Sequence, residues 1–495
     1  MKNNPLKTTE KNGDMTTGSI PRHIILFTIP VFIGNLLQQI YTIVDAIVVG
    51  QCVGVEGLAA IGATDWIYWL FLWTAVGFCQ GFAINIAISF GRKDMNELKD
   101  SINAALTLSM AVGIGMSVTG LIIARPLLDL LQTPENIAHD SWVFVSILYA
   151  GMIIVMLYNM SANILRALGD GTTPFIALAI SSLLNVALDL LAVGALGMGV
   201  KGAALATVTA QAVSVVYSFV KIRHLSVVDR SVFRPRIGLG LGRGLMYHRE
   251  DAIESEKREN GDAAVAEIGL RRILRDPNPL LGQTWKKGLV MALQMVFIAV
   301  GGVLVQFVVN GLGFLYVAGY AAGGKLLGLI ESLALSLGQG ITTFIGQNYG
   351  ACDLPRMKRG MRAAAAMSLV CYFITGVIIY LLGQPLLGLF IDADAEVAGE
   401  VMAIAQRYLL MLIIFMIFLY MIHIYRQALV GTGRTFLALL SGCVETVTRI
   451  GVSVGLVQFV SIEFLYFIEP ITWAGAGIFA CIAWFAVFHR MEKLA

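Results

Sequence analysis

The sequence has 495 residues, of which 57% are hydrophobic and only 14% are charged. Soluble domains carry about 25% charged residues, so this composition indicates a polytopic membrane protein. The net charge of +3 is too small to indicate a nucleic-acid-binding protein. The six cysteines are scattered without a CxxC pair, so they predict neither a disulfide framework nor a zinc site. The polar start of the chain shows no secretory signal.

Twelve apolar stretches are long enough to cross a bilayer as helices, at about 1.5 Å per residue. Each is predicted to be a helix because lipid offers the backbone no other hydrogen-bond partner outside a closed barrel. The sequence therefore predicts an all-α membrane protein with an even number of spans. The predicted spans are 24–50, 58–90, 102–124, 142–165, 175–195, 202–220, 289–309, 315–346, 363–382, 401–425, 436–460 and 464–488.

The basic residues predict which side of the membrane each loop faces. If the N-terminus lies inside, thirty of the 35 Lys and Arg residues fall in inner segments, whereas the outer loops hold only Arg125 and Lys201. Because cytoplasmic loops are rich in Lys and Arg, we predict a multi-pass protein of the cell membrane with both termini in the cytoplasm. The predicted segments are a cytoplasmic tail at 1–23, a first lobe at 24–220, a cytoplasmic linker at 221–288, a second lobe at 289–488 and a cytoplasmic tail at 489–495.

The two halves of the chain resemble one another. A shift of 259 residues places GFAINIAISFGRKDMNELK on GITTFIGQNYGACDLPRMK, with Gln80 and Gly81 on Gln339 and Gly340. Both halves have six spans and start on the same side, which indicates a parallel repeat about an axis along the membrane normal. The sequence thus predicts two pseudo-symmetric six-helix lobes around a central cleft, the architecture of an alternating-access transporter.

The first predicted span carries a polar stripe. Asn35, Gln38, Thr42 and Asp45 are 3, 4 and 3 residues apart, which places them on one face of a helix. An ionisable residue inside a membrane helix is costly and by default marks a functional site. Pro30 lies in the same span and is predicted to bend it. The alternative for Asp45 is a residue at the helix end that reaches the lipid headgroups.

Asp45 and Asp189 are predicted to reach a similar depth in the outer half of the first lobe. Asn185 lies one turn before Asp189 on the same face, and Thr207 and Tyr149 come to similar depth on other spans. Carboxylates, an amide and hydroxyls at one level suit a proton or a sodium ion. Burial and a second carboxylate both favour the protonated form of an acid, as a proton-loading site requires. The alternative is a structural hydrogen-bond cluster.

Three further polar residues of the first lobe have two interpretations each. Asp65 either joins the ion site or points to the outer interface. Asn159 and Asn163 lie deeper and suit a cavity wall, although hydrogen bonds between helices explain them equally well. The candidate substrate cavity consists of Asn35, Gln38, Thr42, Asn159 and Asn163.

The second lobe carries a different set of charges. Glu445 and Arg449 form an i, i+4 pair of the favourable order. Lys325 and Glu331 are predicted to be further buried charges in the eighth span, and Glu469 lies near the outer end of the last span. Because opposite charges neutralise each other when they pair, we predict a structural or gating role for this charge network.

Four stretches carry a family resemblance: IPVFIGNLLQQIYTIVDAIVVG, LRALGDGTTP, NVALDLLAVGALGMGVKGAALAT and FIGQNYGA. In them the sequence resembles the prokaryotic multidrug and toxic compound extrusion (MATE) transporters, closest to the DNA-damage-inducible branch. The resemblance implies two six-helix lobes and export of cationic, amphipathic compounds in exchange for H⁺ or Na⁺. It also implies that Pro30 and Asp45 match the bending proline and the acid of the first helix. Asn185 and Asp189 match the pair in the fifth helix, and Thr207 matches the threonine of the sixth.

The sequence departs from the family pattern in the seventh span. That helix often begins with Gly-hydrophobic-Pro in the family, but Val290 occupies the proline position here. The sodium-coupled branch also carries an acid in this helix, and the span at 289–309 has none. These departures argue against a site for the coupling cation in the second lobe.

The sequence therefore predicts a secondary active antiporter that exports cationic or amphipathic drugs or toxic metabolites. Entry of H⁺, or alternatively Na⁺, at Asp45 and Asp189 would bend or straighten the first helix at Pro30 and release the drug outward. A lipid-linked sugar flippase of the related superfamily is the rival. Such flippases line their cavity with several basic residues, which the spans of the first lobe lack.

An enzyme is not expected, because the histidines form no cluster with acids or with a nucleophile. The predicted partners are therefore small-molecule substrates and membrane lipid, with H⁺ or Na⁺ as the coupling ion. No cofactor, metal or nucleic acid is expected. The chain is predicted to act as a monomer.

Overall fold

The fold comes from a computed structural model, which describes residues 13–225, 278–389, 391 and 397–495. The N-terminal tail before residue 13 and the centre of the predicted linker, residues 226–277, lie outside the described residues. Within the described ranges, eleven helices are long and apolar enough to cross a membrane, and a pair joined by a 46° bend supplies one more span. The prediction of twelve helical spans is therefore confirmed.

The helices extend beyond the predicted spans at most of their ends. The prediction followed hydropathy, which stops where polar residues begin, whereas the hydrogen-bonded backbone continues into the polar layer. The spans, numbered in chain order, are α1 (Ile20–Cys52), α2 (Val55–Arg92), α3 (Met95–Leu130), α4 (Glu135–Ala150 and Met152–Ala167), α5 (Thr172–Ala195), α6 (Gly199–His224), α7 (Leu281–Gly311), α8 (Phe314–Gly350), α9 (Leu354–Leu387), α10 (Ala398–Gly431), α11 (Thr435–Val457) and α12 (Ile462–Leu494).

The internal repeat extends to the details of the backbone. Gly54 precedes α2 and Gly313 precedes α8, and their φ angles are 87° and 97°, a region that glycine adopts without steric cost. Asp94 caps α3 and Asp353 caps α9, each by accepting backbone N–H groups of the first turn. The members of each pair are 259 residues apart, as the sequence repeat predicts. The two halves are therefore built on one plan.

The packing of the helices follows the same repeat. In the first lobe α1 packs on α5, α2 packs on α3 and α4, and α6 packs on α4 and α5. In the second lobe α7 packs on α11, α8 packs on α9 and α10, and α12 packs on α10 and α11. Between the lobes, α2 contacts α7 and α8, and α1 contacts α8. This recurrence confirms two pseudo-symmetric six-helix lobes.

Both ends of the described chain lie on one face of the protein. The Met15 carbonyl accepts a hydrogen bond from Nε of Arg356 at 3.1 Å, and Lys358 pairs with Glu492 at 2.8 Å. These four residues bring the start of α1, the start of α9 and the end of α12 together. We call this side the terminal face and the other side the opposite face.

The two lobes are in tight contact near the terminal face and apart towards the opposite face. Gly91 of α2 lies so close to the second lobe that a Cβ there would overlap the carbonyl of Gln347. Towards the opposite face, by contrast, a Cβ added at Gly62 of α2 or Gly324 of α8 would meet no atom within 4 Å. The lobes are therefore packed together at the terminal face, whereas Gly62 and Gly324 have no such contact towards the opposite face.

The segment that precedes α1 crosses the closed seam between the lobes. On the second-lobe side, Arg356 donates hydrogen bonds to the carbonyls of Met15 and Thr17, at 3.1 and 2.7 Å. On the first-lobe side, Asp14 pairs with Lys93 at 3.5 Å. Met15 is buried. Because this segment holds both lobes, it stabilises the closed terminal face.

We expect Arg356→Gln to release this segment. The variant removes two charge-assisted hydrogen bonds, which are worth about 1.5–3 kcal/mol each. The backbone amides of residues 13–19 should therefore exchange hydrogen for deuterium at least about tenfold faster, since 1.4 kcal/mol is a factor of ten. Mass spectrometry of the matching peptides measures this rate. Arg359→Gln is the control, because Arg359 is exposed on the same turn, and equal exchange in both variants would contradict the assignment.

Candidate functional site

The two predicted acids of the first lobe lie together between α1 and α5. Asp189 is fully buried and Asp45 is partly buried, and their carboxyl groups interact with one another. Among the described residues, neither carboxyl oxygen of Asp189 has a hydrogen-bond partner, and Oδ1 of Asp45 has none. Buried polar groups in proteins are normally paired. A carboxylate pair left open in this way is available to a proton or a small cation.

The helix α5 changes its winding directly after Asp189. Residues Leu190–Ala195 form a π-helical turn, and the equivalent helix of the second lobe has a π-helical turn at Gly451–Val457, directly beyond Arg449 and Ile450. π-Turns inside α-helices are rare and are frequent at functional sites. The repeat therefore places Asp189 just before a π-turn in the first lobe and Arg449 just before a π-turn in the second lobe.

A small pocket lies beside the carboxylate pair. Asn185 donates to the Thr207 hydroxyl at 3.4 Å, while Oδ1 of Asn185 has no partner among the described residues. Both side chains line a pocket of about 30 Å³, and so does Gln38. One water molecule occupies about 30 Å³ of liquid. The pocket therefore accommodates a water molecule or a bare monovalent cation, but not a drug.

Tyr149 does not join this site as predicted. Its ring packs against Phe71, with the ring centroids 4.7 Å apart, and lies in an apolar cluster with Ile67 and Leu128. Gly120 leaves the space for the ring, because a Cβ there would lie 2.6 Å from Cγ of Tyr149. The prediction rested on depth in the membrane, which does not fix the direction in which a helix points its side chains.

The residues of the predicted substrate cavity of the first lobe have different partners. Asn35 donates to Ser336 at 2.9 Å, so it joins α1 to α8 of the other lobe. Asn159 and Asn163 each donate to a backbone carbonyl of their own helix at 2.9 Å, and Asn163 lines a narrow crevice of about 50 Å³ at the lobe interface. The side chain of Thr42 lies outside the described residues. The described contacts do not bring all of these residues together, and their role in substrate binding stays a prediction.

Pro30 lies inside an uninterrupted helix. The helix α1 runs from Ile20 to Cys52 through the proline. Proline has no N–H to donate and its ring clashes with the carbonyl four residues earlier. Pro30 is thus the weakest point of α1 and the place where that helix can bend. The predicted role in conformational change stays a prediction.

The second lobe holds a buried network of four charges. Arg426 donates to Glu445 and, at 3.1 Å, to the Ser441 hydroxyl. Arg449 pairs with Glu469 at 2.8 Å and with Glu445 at 3.5 Å. The predicted pair of Glu445 and Arg449 is therefore present, within a larger set that the sequence did not indicate.

Of the predicted network charges, Lys325 lies elsewhere and Glu331 lies beside the network without joining it. Lys325 is exposed on α8 and within electrostatic reach of Asp65 on α2, so its prediction as a buried network charge is wrong. Glu331 faces the same cavity as the network but forms no ion pair within the described part of the chain. Conversely, Arg426 was assigned to an inner segment, whereas α10 continues through a π-turn at Ile422–Arg426 and keeps it buried.

A large cavity opens beside this network. We call it the second-lobe cavity; its volume is about 720 Å³, and it lies between α2, α7, α8, α10, α11 and α12. Its walls carry four carboxylates and two guanidiniums. Asp65 also lines it and lies within electrostatic reach of both Lys325 and Asp45, so both interpretations of that residue stay predictions. The charged lining consists of Asp65, Glu331, Glu445, Glu469, Arg426 and Arg449.

Known proteins share both the sequence pattern and this fold. The MatE family model matches residues 30–191 and 291–455. The chain is 26% identical over 410 residues to "Probable multidrug resistance protein YoeA" of Bacillus subtilis strain 168, covering 82% of this chain and 79% of that protein. It is 27% identical over 392 residues to "Probable multidrug resistance protein YpnP" of the same strain, covering 79% of each chain.

Solved structures agree with the fold. A structure described as the outward-facing conformation of a multidrug resistance MATE family transporter superposes with a TM-score of 0.82, at 19% identity, and covers 98% of this chain and 99% of that chain. At this identity the match concerns the fold alone. The family model matches one segment in each lobe and together these segments span most of the sequence. The chain therefore belongs to the MatE family of membrane transporters, as the sequence predicts, and is not an enzyme.

Proposed function

We propose that this transporter is a secondary active antiporter that exports cationic or amphipathic small molecules in exchange for H⁺ or Na⁺. The names of the two Bacillus relatives, multidrug resistance proteins, support the export of drug-like compounds. The basic residues concentrate in segments on the terminal face, which supports a cell-membrane protein with that face in the cytoplasm. One chain holds both lobes and the cleft, so we propose a monomer surrounded by lipid.

The carboxylate pair carries this proposal. Asp45 and Asp189 are placed together in the interior, and among the described residues no donor bonds to either oxygen of Asp189. Keeping two such groups together inside a membrane protein is costly, and a purely structural role would favour paired groups. A proton or Na⁺ entering from the opposite face would relieve this cost. The free energy of its binding is then available to change the contacts of α1.

The closed seam supports alternating access. The lobes are held together near the terminal face by the contact at Gly91 and by the segment before α1, whereas the second-lobe cavity lies between α2 and the second lobe. We propose that an inward-open state breaks these contacts and closes the opposite end. Differential binding of the ion to the two states would drive the change, because a ligand shifts an equilibrium only through such a difference.

A flippase for lipid-linked sugars is less well supported. Such a transporter must hold an anionic pyrophosphate, for which guanidinium-rich walls are suited. The second-lobe cavity instead has more carboxylates than guanidiniums.

Transport in vesicles tests the proposed antiport. The purified protein is reconstituted in liposomes loaded with a fluorescent cationic dye, and a proton gradient or a sodium gradient is imposed, one at a time. We expect one of the two gradients to drive dye movement opposite to the ion, and protein-free liposomes to show none. Dye movement that ignores both gradients would refute coupling to either ion.

A further inference from the structure

The pocket beside the carboxylate pair and the second-lobe cavity differ greatly in size. The pocket beside the carboxylate pair measures about 30 Å³, whereas the second-lobe cavity measures about 720 Å³. Pockets for drug-sized ligands span about 300–1,000 Å³. The ion and the exported molecule therefore do not fit the same place in this conformation, and of these two spaces only the second-lobe cavity accommodates a drug.

The charges of the second-lobe cavity leave two carboxylates over, Asp65 and Glu331. Asp65 lies within electrostatic reach of Lys325, so we consider Glu331. Arg426 is paired with Glu445, and Arg449 is paired with Glu469, so these four charges cancel. Glu331 lines the same cavity, and no ion pair is formed by it in the described ranges. A carboxylate without a cation partner in a largely apolar cavity attracts a positive ligand, which would lose its water shell there and interact strongly.

Neutral groups of the cavity also favour a cation. Trp69, Trp73 and Trp473 line it, and the rings of Trp69 and Trp73 stack with centroids 6.1 Å apart. Indole faces bind organic cations better than the other aromatic rings do. Gln294 also lines this cavity, and its buried carbonyl oxygen has no partner among the described residues, so a hydrogen-bond acceptor is left at the cavity wall.

We infer that the exported organic cation binds in the second-lobe cavity, against Glu331 and the three tryptophans, while the coupling ion binds in the first lobe. This inference rests on the proposed antiport only in that the bound cation is taken to be exported. Its ligand class is a monovalent aromatic or amphipathic cation. The hydrogen bond between Asn35 of α1 and Ser336 of α8 links the two sites, because α8 also carries Glu331.

Equilibrium binding of tetraphenylphosphonium to the purified full-length chain in detergent, measured by calorimetry without any gradient, tests this assignment. Glu331→Gln keeps the shape and removes the charge, and we expect its Kd to rise at least about tenfold. Trp473→Leu should also weaken binding. Glu56→Gln is the matched control, since Glu56 is exposed in the first turn of α2, and its Kd should stay within about twofold of wild type.

The outcomes separate this inference from the antiport proposal. If Glu331→Gln and Trp473→Leu both elute as folded protein and bind tetraphenylphosphonium with wild-type affinity, the second-lobe site is refuted even when a gradient drives transport. If neither gradient drives transport but Glu331→Gln weakens binding, the antiport proposal fails and the site stands. Should Glu331→Gln fail to fold, Trp473→Leu alone decides by the same criterion.

Discussion

Asp189→Asn should abolish gradient-driven dye export while leaving a folded protein. The substitution keeps the shape of the side chain but removes its ability to take up a proton or to balance the charge of Na⁺. Because the carboxylate is buried beside Asp45 without a hydrogen-bond donor among the described residues, no neighbour replaces this function. We expect transport in the liposome assay to fall to the level of protein-free vesicles, a loss of about a hundredfold or more, in line with about 2.7 kcal/mol.

Thermal unfolding distinguishes this role from a structural one. A carboxylate that holds the fold together would leave a less stable protein when it is removed. An unpaired buried carboxylate destabilises its own fold, so Asp189→Asn should unfold at the wild-type temperature or above it. Asp140→Asn supplies the control, because Asp140 is exposed at the start of α4 and should transport normally. Wild-type transport by Asp189→Asn would remove Asp189 from the mechanism.

The sequence was sufficient where the determining interactions are local or periodic. Hydropathy predicts the twelve spans because lipid leaves the backbone no alternative to the helix. The 259-residue repeat predicts the two lobes, and the structure shows it again in Gly54 and Gly313. Asp45 and Asp189 were brought together by counting depth along α1 and α5, which run in the same direction and pack on each other. For two side chains on neighbouring helices of the same direction, a similar depth was enough to predict that they lie close together.

The sequence was insufficient where helix rotation or tertiary contact decides. Tyr149 lies at the predicted depth but turns into an apolar cluster, since depth does not fix the azimuth of a side chain. Asn35 shares a stripe with Asp45, yet it bonds across to the second lobe. For Arg449, the sequence predicts the pair with Glu445, four residues earlier on the same helix. It does not predict the pair with Glu469, which is twenty residues away on another helix. The burial of Arg426 was not predicted, because α10 continues past its predicted end through a π-turn that hydropathy does not reveal.

The buried charge network of the second lobe should be the place where removal of a single charge lowers the stability of the fold most. Glu445 accepts from Arg426 and lies 3.5 Å from Arg449, and all three side chains are nearly inaccessible. Glu445→Gln leaves Arg426 as a buried cation without a counter-ion. Removal of one partner of such a pair costs about 3–5 kcal/mol. We expect a marked fall in the thermal unfolding temperature in detergent.

A variant of an exposed ion pair and a double variant show whether burial of an unpaired charge causes the loss of stability in Glu445→Gln. Arg407 and Glu463 are about half exposed, so Glu463→Gln should cost less than about 1 kcal/mol. The double variant Arg426→Gln with Glu445→Gln removes one charge of each sign and leaves the Arg449–Glu469 pair complete. It should recover most of the lost stability, since the penalty arises from the orphaned guanidinium rather than from the missing bond. If the double variant loses as much unfolding free energy as Arg426→Gln and Glu445→Gln lose together, the two residues act independently. The network would then not be a set of compensating pairs.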